Sequence, residues 1–457
     1  MVQLGLSAAT LLSNSGCVLR PEGAAAEHSK LTAAAVSYET TAAPRRLPEL
    51  PVTVEWRDAL SRAFLANGEL EAAYFEWKAA LQRIDQAATW PNSNVAVTFS
   101  YLFSAENLKA WDRTTLGVGF DPSMNLTLPV KARKAGQVAL DAAREAAERF
   151  RAVKFDLQRR VLSAYLDLSM TEDLIRIERD NQILLELVKD SARDRAQAGG
   201  PLQDLSKAMI ESQLSGNEGA ALQTKAQSLR GVLNGMLGRD ANAALTLPAS
   251  LPAPREVQAD DAELISAGVA QNPELAALAQ QVAGRADAIE VARLQYLPDL
   301  APSASITGSL SQTLGSMVML PTKVPAIRAG IEEAQAMARA SEAMLRQRHQ
   351  DRAASFVANL CAMRNAERQV QLYRERVLPA AQQLINSSRS AYAAGTIGFA
   401  DLVDSERMLL TVRRMLVESQ IEREQRLADL EALAGVDIET LGVQAAARAQ
   451  SVSGARP

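Results

Sequence analysis

Histidine and cysteine are nearly missing from this chain. Its 457 residues hold two of each: His28 and His349, Cys17 and Cys361. Two lone cysteines build neither a disulfide framework nor a thiolate metal site. Two histidines leave no material for a histidine-ligated metal centre. Aromatic residues make up 4% of the chain, low for a globular core of this size. No apolar run reaches the ~18 residues that a membrane-spanning helix needs. The net charge of −4 and the lack of a basic patch exclude a nucleic-acid partner. No Ser/His/Asp, Cys/His or phosphate-loop pattern occurs, which removes the enzyme reading and any expected cofactor. No lysine or arginine precedes Arg20, so the apolar stretch Val2 to Leu12 lacks an ordinary signal n-region.

Alanine, leucine, glutamate, arginine and glutamine dominate instead, a bias toward long helices packed through small side chains. The same grammar then occurs twice, about 200 residues apart. A helix ends at a proline, a strand hairpin follows, and a second proline opens a very long helix. Pro91 and Pro129 bracket the first hairpin (about 92–128), and Pro298 and Pro321 the second (about 299–320). The helical lead-ins match as well: Asn67, Glu69 and Leu70 are answered by Asn272, Glu274 and Leu275. The sequence therefore divides into a leader and linker (1–52), two repeats (53–250 and 251–435) and a tail (436–457). Two readings of Cys17 stand side by side. The preceding LLSNSG loosely matches a lipoprotein cleavage box, and the residue also reads as an incidental cysteine in a leader. Residues 18–50, rich in Ala, Glu, Ser and Pro, read as extended linker.

The hairpins alternate strictly. Leu116, Val118, Phe120, Pro122, Met124, Leu126 and Leu128 are apolar, and the residues between them are polar or glycine. Val95, Val97, Phe99, Tyr101 and Phe103 alternate in the same way with Ala96, Thr98 and Ser100. In the second copy Ser303, Ser305, Thr307 and Ser309 form a wet face opposite Ala304, Ile306 and Leu310. The return strand is placed at Leu314 to Leu320. Strands of ~9–11 tilted residues cross a bilayer. A sheet lying on a soluble core would alternate likewise, but small wet residues suit a water-filled lumen. Open edges cannot face lipid, and closure takes about eight strands. Four strands entering a membrane therefore require self-association.

From Lys131 to Ala198 no proline interrupts a steady helical rhythm, and Ala326 to Ala394 repeats it with only Pro379 inside. Some 68 residues span roughly 100 Å, which implies coiled-coil-like rods. Each reverses at a glycine, Gly199-Gly200 or Gly395, where a left-handed cap is expected. Shorter helices return from Asp204 to Leu237 and from Phe399 to Ala434. Core packing accounts for Cys361 and solvent exposure for His349. Asp401 and Asp404, three apart at a helix start, share one face. A solvated first turn explains them as residues.

The duplicated plan, the four bracketing prolines, and the phrases NPELAALAQQVAGRADAIEVARLQYLPDL (272–300), VLPAAQQL (377–384) and YAAGTIGFADLVDSERMLL (392–410) resemble the TolC-like outer membrane efflux proteins. The resemblance covers about residues 53–435. It implies a mainly helical fold with a small β part: a long antiparallel coiled-coil barrel and four membrane strands per protomer. Three protomers would close a twelve-stranded barrel in the outer membrane and continue as a periplasmic tunnel. The duct would serve a periplasmic adaptor and an inner-membrane transporter without covalent chemistry. Asp401 and Asp404 would ring the periplasmic constriction, where three copies favour cations and titrate at raised pH. Tyr392 would hold the closed end by hydrogen bonding to the neighbouring coil, with Asp204 as the acidic partner. The family's basic residue after the glycine turn is absent; Ile397 stands there, which implies a differently held closed state. Gly199 and Gly395 would mark the tips that meet the adaptor. The competing reading is a periplasmic coiled-coil adaptor or interaction protein without a membrane barrel.

Overall fold

The computed structural model describes residues 18–35, 38, 47–89, 95–103, 107–120 and 128–439. In chain order these form α1 (Ala24–Ala35), α2 (Trp56–Ala66), α3 (Gly68–Ala88), β1 (Val95–Tyr101), β2 (Thr114–Phe120), α4 (Pro129–Gln197) and α5 (Leu202–Met236). There follow α6 (Asp261–Ala270), α7 (Pro273–Arg293), β3 (Asp299–Thr307), β4 (Ser311–Met319), α8 (Val324–Leu372), α9 (Leu378–Ala393) and α10 (Phe399–Ala434). Pro129 opens α4, Pro298 precedes β3, and Pro321 lies between β4 and α8. Pro91 and Cys17 lie outside the described residues. The chain packs as two compact units. One comprises residues up to 39 with 72–150 and 274–348; the other holds 40–71, 151–273 and 349 onward.

The first unit carries the sheet, an antiparallel set in the order β1-β2-β3-β4. Its register aligns the small residues across all four strands. One rung reads Thr98, Gly117, Ser305, Thr313, and the next reads Ser100, Thr115, Thr307, Ser311. Paired residues share a face, so these two rungs are wet; the Thr115 and Thr307 hydroxyls lie 2.9 Å apart, while Met317 and Met319 of β4 fall on the same side. The opposite side carries Val97, Val118, Ala304 and Leu314 on one rung and Phe99, Leu116 and Ile306 on another. Val97 and Phe99 are about 70% and 68% exposed. β4 begins at Ser311, earlier than the expected Leu314. The expected strand residues 121–127 lie outside the described residues.

The stretch read as extended linker departs from that reading. Residues 24–35 are helical, and the segment is docked. The Leu19 N–H donates to the Ala88 carbonyl at 3.0 Å, and Arg20 makes two 2.7 Å bonds to Asp85. Tyr38 stacks on Tyr74 at 5.1 Å beside Trp77 and Phe150. α1 buries chiefly Ala24, Glu27 and Leu31, so its apolar stripe is too slight to register as a periodic signal.

In the second unit the helices end as their glycines dictate. Gly199 and Gly395 take φ of +94° and +73°, which residues bearing a Cβ seldom adopt. Beyond Leu372 the helix widens into a π turn, Tyr373–Val377, before α9 resumes. The break thus begins ahead of Pro379 rather than at it. Proline offers no N–H to the carbonyl four residues back, and the widened turn takes up that mismatch. Phe356, Leu360 and Met363 pack with Leu264, Leu427 and Leu430. Cys361, next to Leu360, is exposed rather than core. A buried ion cluster ties residue 255 to α10: Arg255 reaches Glu424 at 3.0 Å and Glu431 at 2.8 Å. Burial pushes the Glu431 carboxyl up from its ordinary range, and Arg255 opposes that push.

Candidate functional site at the hairpin tips

The two helical hairpins end in matching turns. At the first, the Gly199 N–H donates to the Ala196 carbonyl at 3.2 Å and the Gly200 N–H to the Arg195 carbonyl at 2.8 Å. At the second, the Gly395 N–H donates to the Tyr392 carbonyl at 3.0 Å and the Thr396 N–H to the Ala391 carbonyl at 2.9 Å. Such bonds satisfy carbonyls that a helix end otherwise strands. Between the turns lies an apolar cluster: Val188 and Ala192 of α4, Ala208 of α5, Ile385 and Tyr392 of α9, and Phe399, Leu402 and Leu409 of α10. Ile397 packs against it. Its partly buried side chain adds to the apolar cluster.

Tyr392 is buried, its ring 6.2 Å from that of Phe399. The Arg195 guanidinium lies 3.9 Å from the centroid of the same ring and donates to the Tyr392 carbonyl. Arg195 thus belongs to both tips: its own carbonyl closes the first turn while its side chain holds the second. Sequence reasoning missed it, because a basic residue in a last helical turn reads as ordinary dipole compensation. The Tyr392 hydroxyl has no hydrogen-bond partner among the described residues. Asp204 sits half-buried in the first turn of α5, and the structure does not join it to Tyr392.

Asp401 and Asp404 both face outward from the start of α10. Asp401 Oδ2 accepts the Gly398 N–H at 3.1 Å, a cap that fixes the helix start. The Asp404 side chain is 75% exposed, with Arg407 at 3.9 Å. One step around the helix the polarity turns inward. The Ser388 and Ser405 hydroxyls are buried 2.7 Å apart, and Glu406 is buried with Arg389 at 3.8 Å. Neither Glu406 oxygen has a hydrogen-bond partner among the described residues. Burial pushes this carboxyl above its usual range, with Arg389 opposing. The spacing could have revealed it: Glu406 lies four after Leu402 and three before Leu409, on the core stripe.

Among the described residues, no group of three or more His, Cys, Asp or Glu is placed to hold a metal ion. None of the described helices is long and apolar enough to cross a membrane.

Residues 264–436 match the outer membrane efflux protein family model. The cobalt-zinc-cadmium resistance protein CzcC of Cupriavidus metallidurans is 23% identical over 386 residues, covering 79% of this chain and 85% of CzcC. The outer-membrane channel OprN aligns with a TM-score of 0.69 at 18% identity, over 84% of this chain and 90% of OprN. The outer membrane protein VceC of Vibrio cholerae gives 0.68 at 16% identity, over 84% and 96%. By sequence over residues 264–436 the chain is similar to the outer membrane efflux proteins, and over most of its length it shares the fold of solved outer membrane channels.

Proposed function

We propose that three copies of this chain join their sheets into one twelve-stranded barrel and form a passive exit duct, gated at its periplasmic end. The observation that carries this reading is the four-stranded sheet with one wet face and one exposed apolar face. Among the described residues, β1 and β4 each have a neighbour on one side only. An unpaired edge in lipid leaves backbone groups costing several kcal/mol each, and four strands are too few to close. Copies supply the missing neighbours. The matching succession in each half, two helices, two strands, then a long helical run (α4, or α8 with α9) and its return (α5, α10), supports descent from one duplicated unit.

In this duct Asp401 and Asp404 face the axis, giving six carboxylates that favour cations. Tyr392, with Asp204 on the facing tip, holds the closed end, and Arg195 supplies the positive charge that Ile397 does not. The tips at Gly199 and Gly395 receive a periplasmic adaptor, which connects the duct to an inner-membrane transporter. A lipid on Cys17 fits this arrangement, because Val18 pairs with Thr89 at the end of α3, just before the first hairpin. A soluble interaction protein would leave the exposed apolar rungs unexplained.

Extraction of the full chain from membranes with detergent tests the reading, with mass measurement and planar-bilayer conductance on the same sample. A trimer that conducts is expected. A protein that stays monomeric in water and never conducts would overturn it.

A further inference from the structure

The apolar cluster that joins the hairpin tips is broken by one charged residue on each of two helices. On α10 the stripe runs Leu402, Glu406, Leu409, and on α9 it runs Ile385, Arg389, Tyr392. Spacings of three and four put each set on one face, and the four uncharged residues are all buried in the cluster. Glu406 is 5% exposed. Arg389 approaches it at 3.8 Å, too far for a hydrogen bond.

The neighbouring hydroxyls are already committed. Ser405 Oγ donates its one proton to the Asp401 carbonyl at 2.9 Å. Ser388 Oγ is then the donor in the 2.7 Å bond between the two serines. Neither serine keeps a proton for Glu406, in accord with its two unpartnered oxygens. Among the charges on the surrounding helices, Arg389 alone acts on the carboxyl. Arg407 turns to Glu211 of α5, Lys189 of α4 to Glu186 and Arg193 to Asp190, while Arg195 lies on the Tyr392 ring. Neither Asp204 nor Lys207 of α5 acts on it.

A neutral acid fits this position at the loss of hydrogen bonds only. A carboxylate would hold two bare oxygens among Leu402, Val403 and Leu409, a far greater cost. Drawing in Arg389, whose side chain is 39% exposed, would bury a second charge. Parting the hairpins instead gives both charges to water.

We propose that Glu406 is a proton-operated latch on the periplasmic gate: with its proton it seals the cluster between the hairpins, and without it the hairpins part. The latch rests on the channel reading, since it needs a gate at the tips. It acts from inside the wall, apart from the outward carboxylates of Asp401 and Asp404.

The test records open probability of the full-length trimer in planar bilayers from about pH 5 to about pH 9, above the ordinary carboxyl range. The wild-type open-to-closed ratio should rise with pH, by up to about tenfold per unit for each protomer that must release its proton. Glu406→Gln keeps the shape and cannot ionise, so it should lose the step and show rare openings of unchanged unitary conductance. Arg389→Met should move the step to higher pH, because the opposing cation is gone. Asp401→Asn with Asp404→Asn should keep the step. A step that survives in Glu406→Gln, or vanishes in the double asparagine variant, would overturn the latch while the channel stands. A step unmoved or lowered in Arg389→Met would do the same, as would a wild type that conducts alike at every pH. Failure of wild type to conduct at any pH would overturn the channel reading, and the latch with it.

Discussion

Asp401 carries two duties that substitution can separate. Its carboxylate caps the Gly398 N–H, and its charge faces outward. Asparagine keeps an acceptor for the cap and loses the charge, so Asp401→Asn with Asp404→Asn should lower cation preference and divalent-ion block at unchanged stability. Asp401→Ala should in addition cost about 1 kcal/mol in thermal unfolding. Single-channel recordings in divalent salts read the first effect; unaltered selectivity would remove both residues from the pore. Arg195→Ala should free one tip from the other, losing roughly 1 kcal/mol of ring contact and the bond to the Tyr392 carbonyl. Raised open probability at unchanged unitary conductance is expected, with only partial recovery in Arg195→Lys, whose ammonium lacks the planar stack. Glu406 makes a pH prediction. Its folded-state pKa is raised, so the stability it gives is complete below the unfolded value and is lost as pH rises through the folded one. Glu406→Gln should therefore exceed wild type in thermal stability near neutral pH and match it below about pH 4.

Elements follow from sequence where one period dominates. The strands show a period of two uncontaminated by other demands, and the long helices end at glycines that alone accept the left-handed turn. The family phrases in the second half include Tyr392, Asp401 and Asp404, which the structure places in α9 and α10. What escaped has a shared cause: it depends on partners distant in sequence. Arg195 acquires meaning only beside Tyr392, 197 positions away, and α1 is held by α3 and α4 rather than by its own stripe. Gly268 is the clearest case. It reads as a helical lead-in residue, yet a Cβ there would stand 2.2 Å from the Phe356 ring of α8. Gly268→Ala should destabilise by about 1–3 kcal/mol, and Phe356→Leu in the same chain should recover part of that loss in denaturant melts. Simple additivity of the two losses would show that the helices do not interlock there.

At the scale of the molecule, neighbouring residues of one strand should behave as opposites. Phe99 lies on the exposed apolar side and Thr98 on the wet side. Phe99→Arg places a cation in lipid at a cost of about 2–4 kcal/mol, and loss of membrane-inserted trimer is expected by detergent extraction. Thr98→Arg should insert and change the conductance instead. If both variants inserted equally well, the sheet would not contact lipid. The pairing of β2 with β3 is not legible from the residues alone. It joins segments nearly 190 residues apart, and strand alternation does not name a neighbour.

The wet rungs have a further property. From Thr98 to Ser100, Thr115 to Gly117, Ser305 to Thr307 and Ser311 to Thr313, the side chains on that face are serine, threonine or none; the carboxylate of Asp299 lies further along the same face of β3. In the proposed duct these rungs would form a neutral stretch that sieves by girth. Any sorting of cargo by charge then falls to groups outside that stretch, and Asp299, on the same face of β3, is one of them.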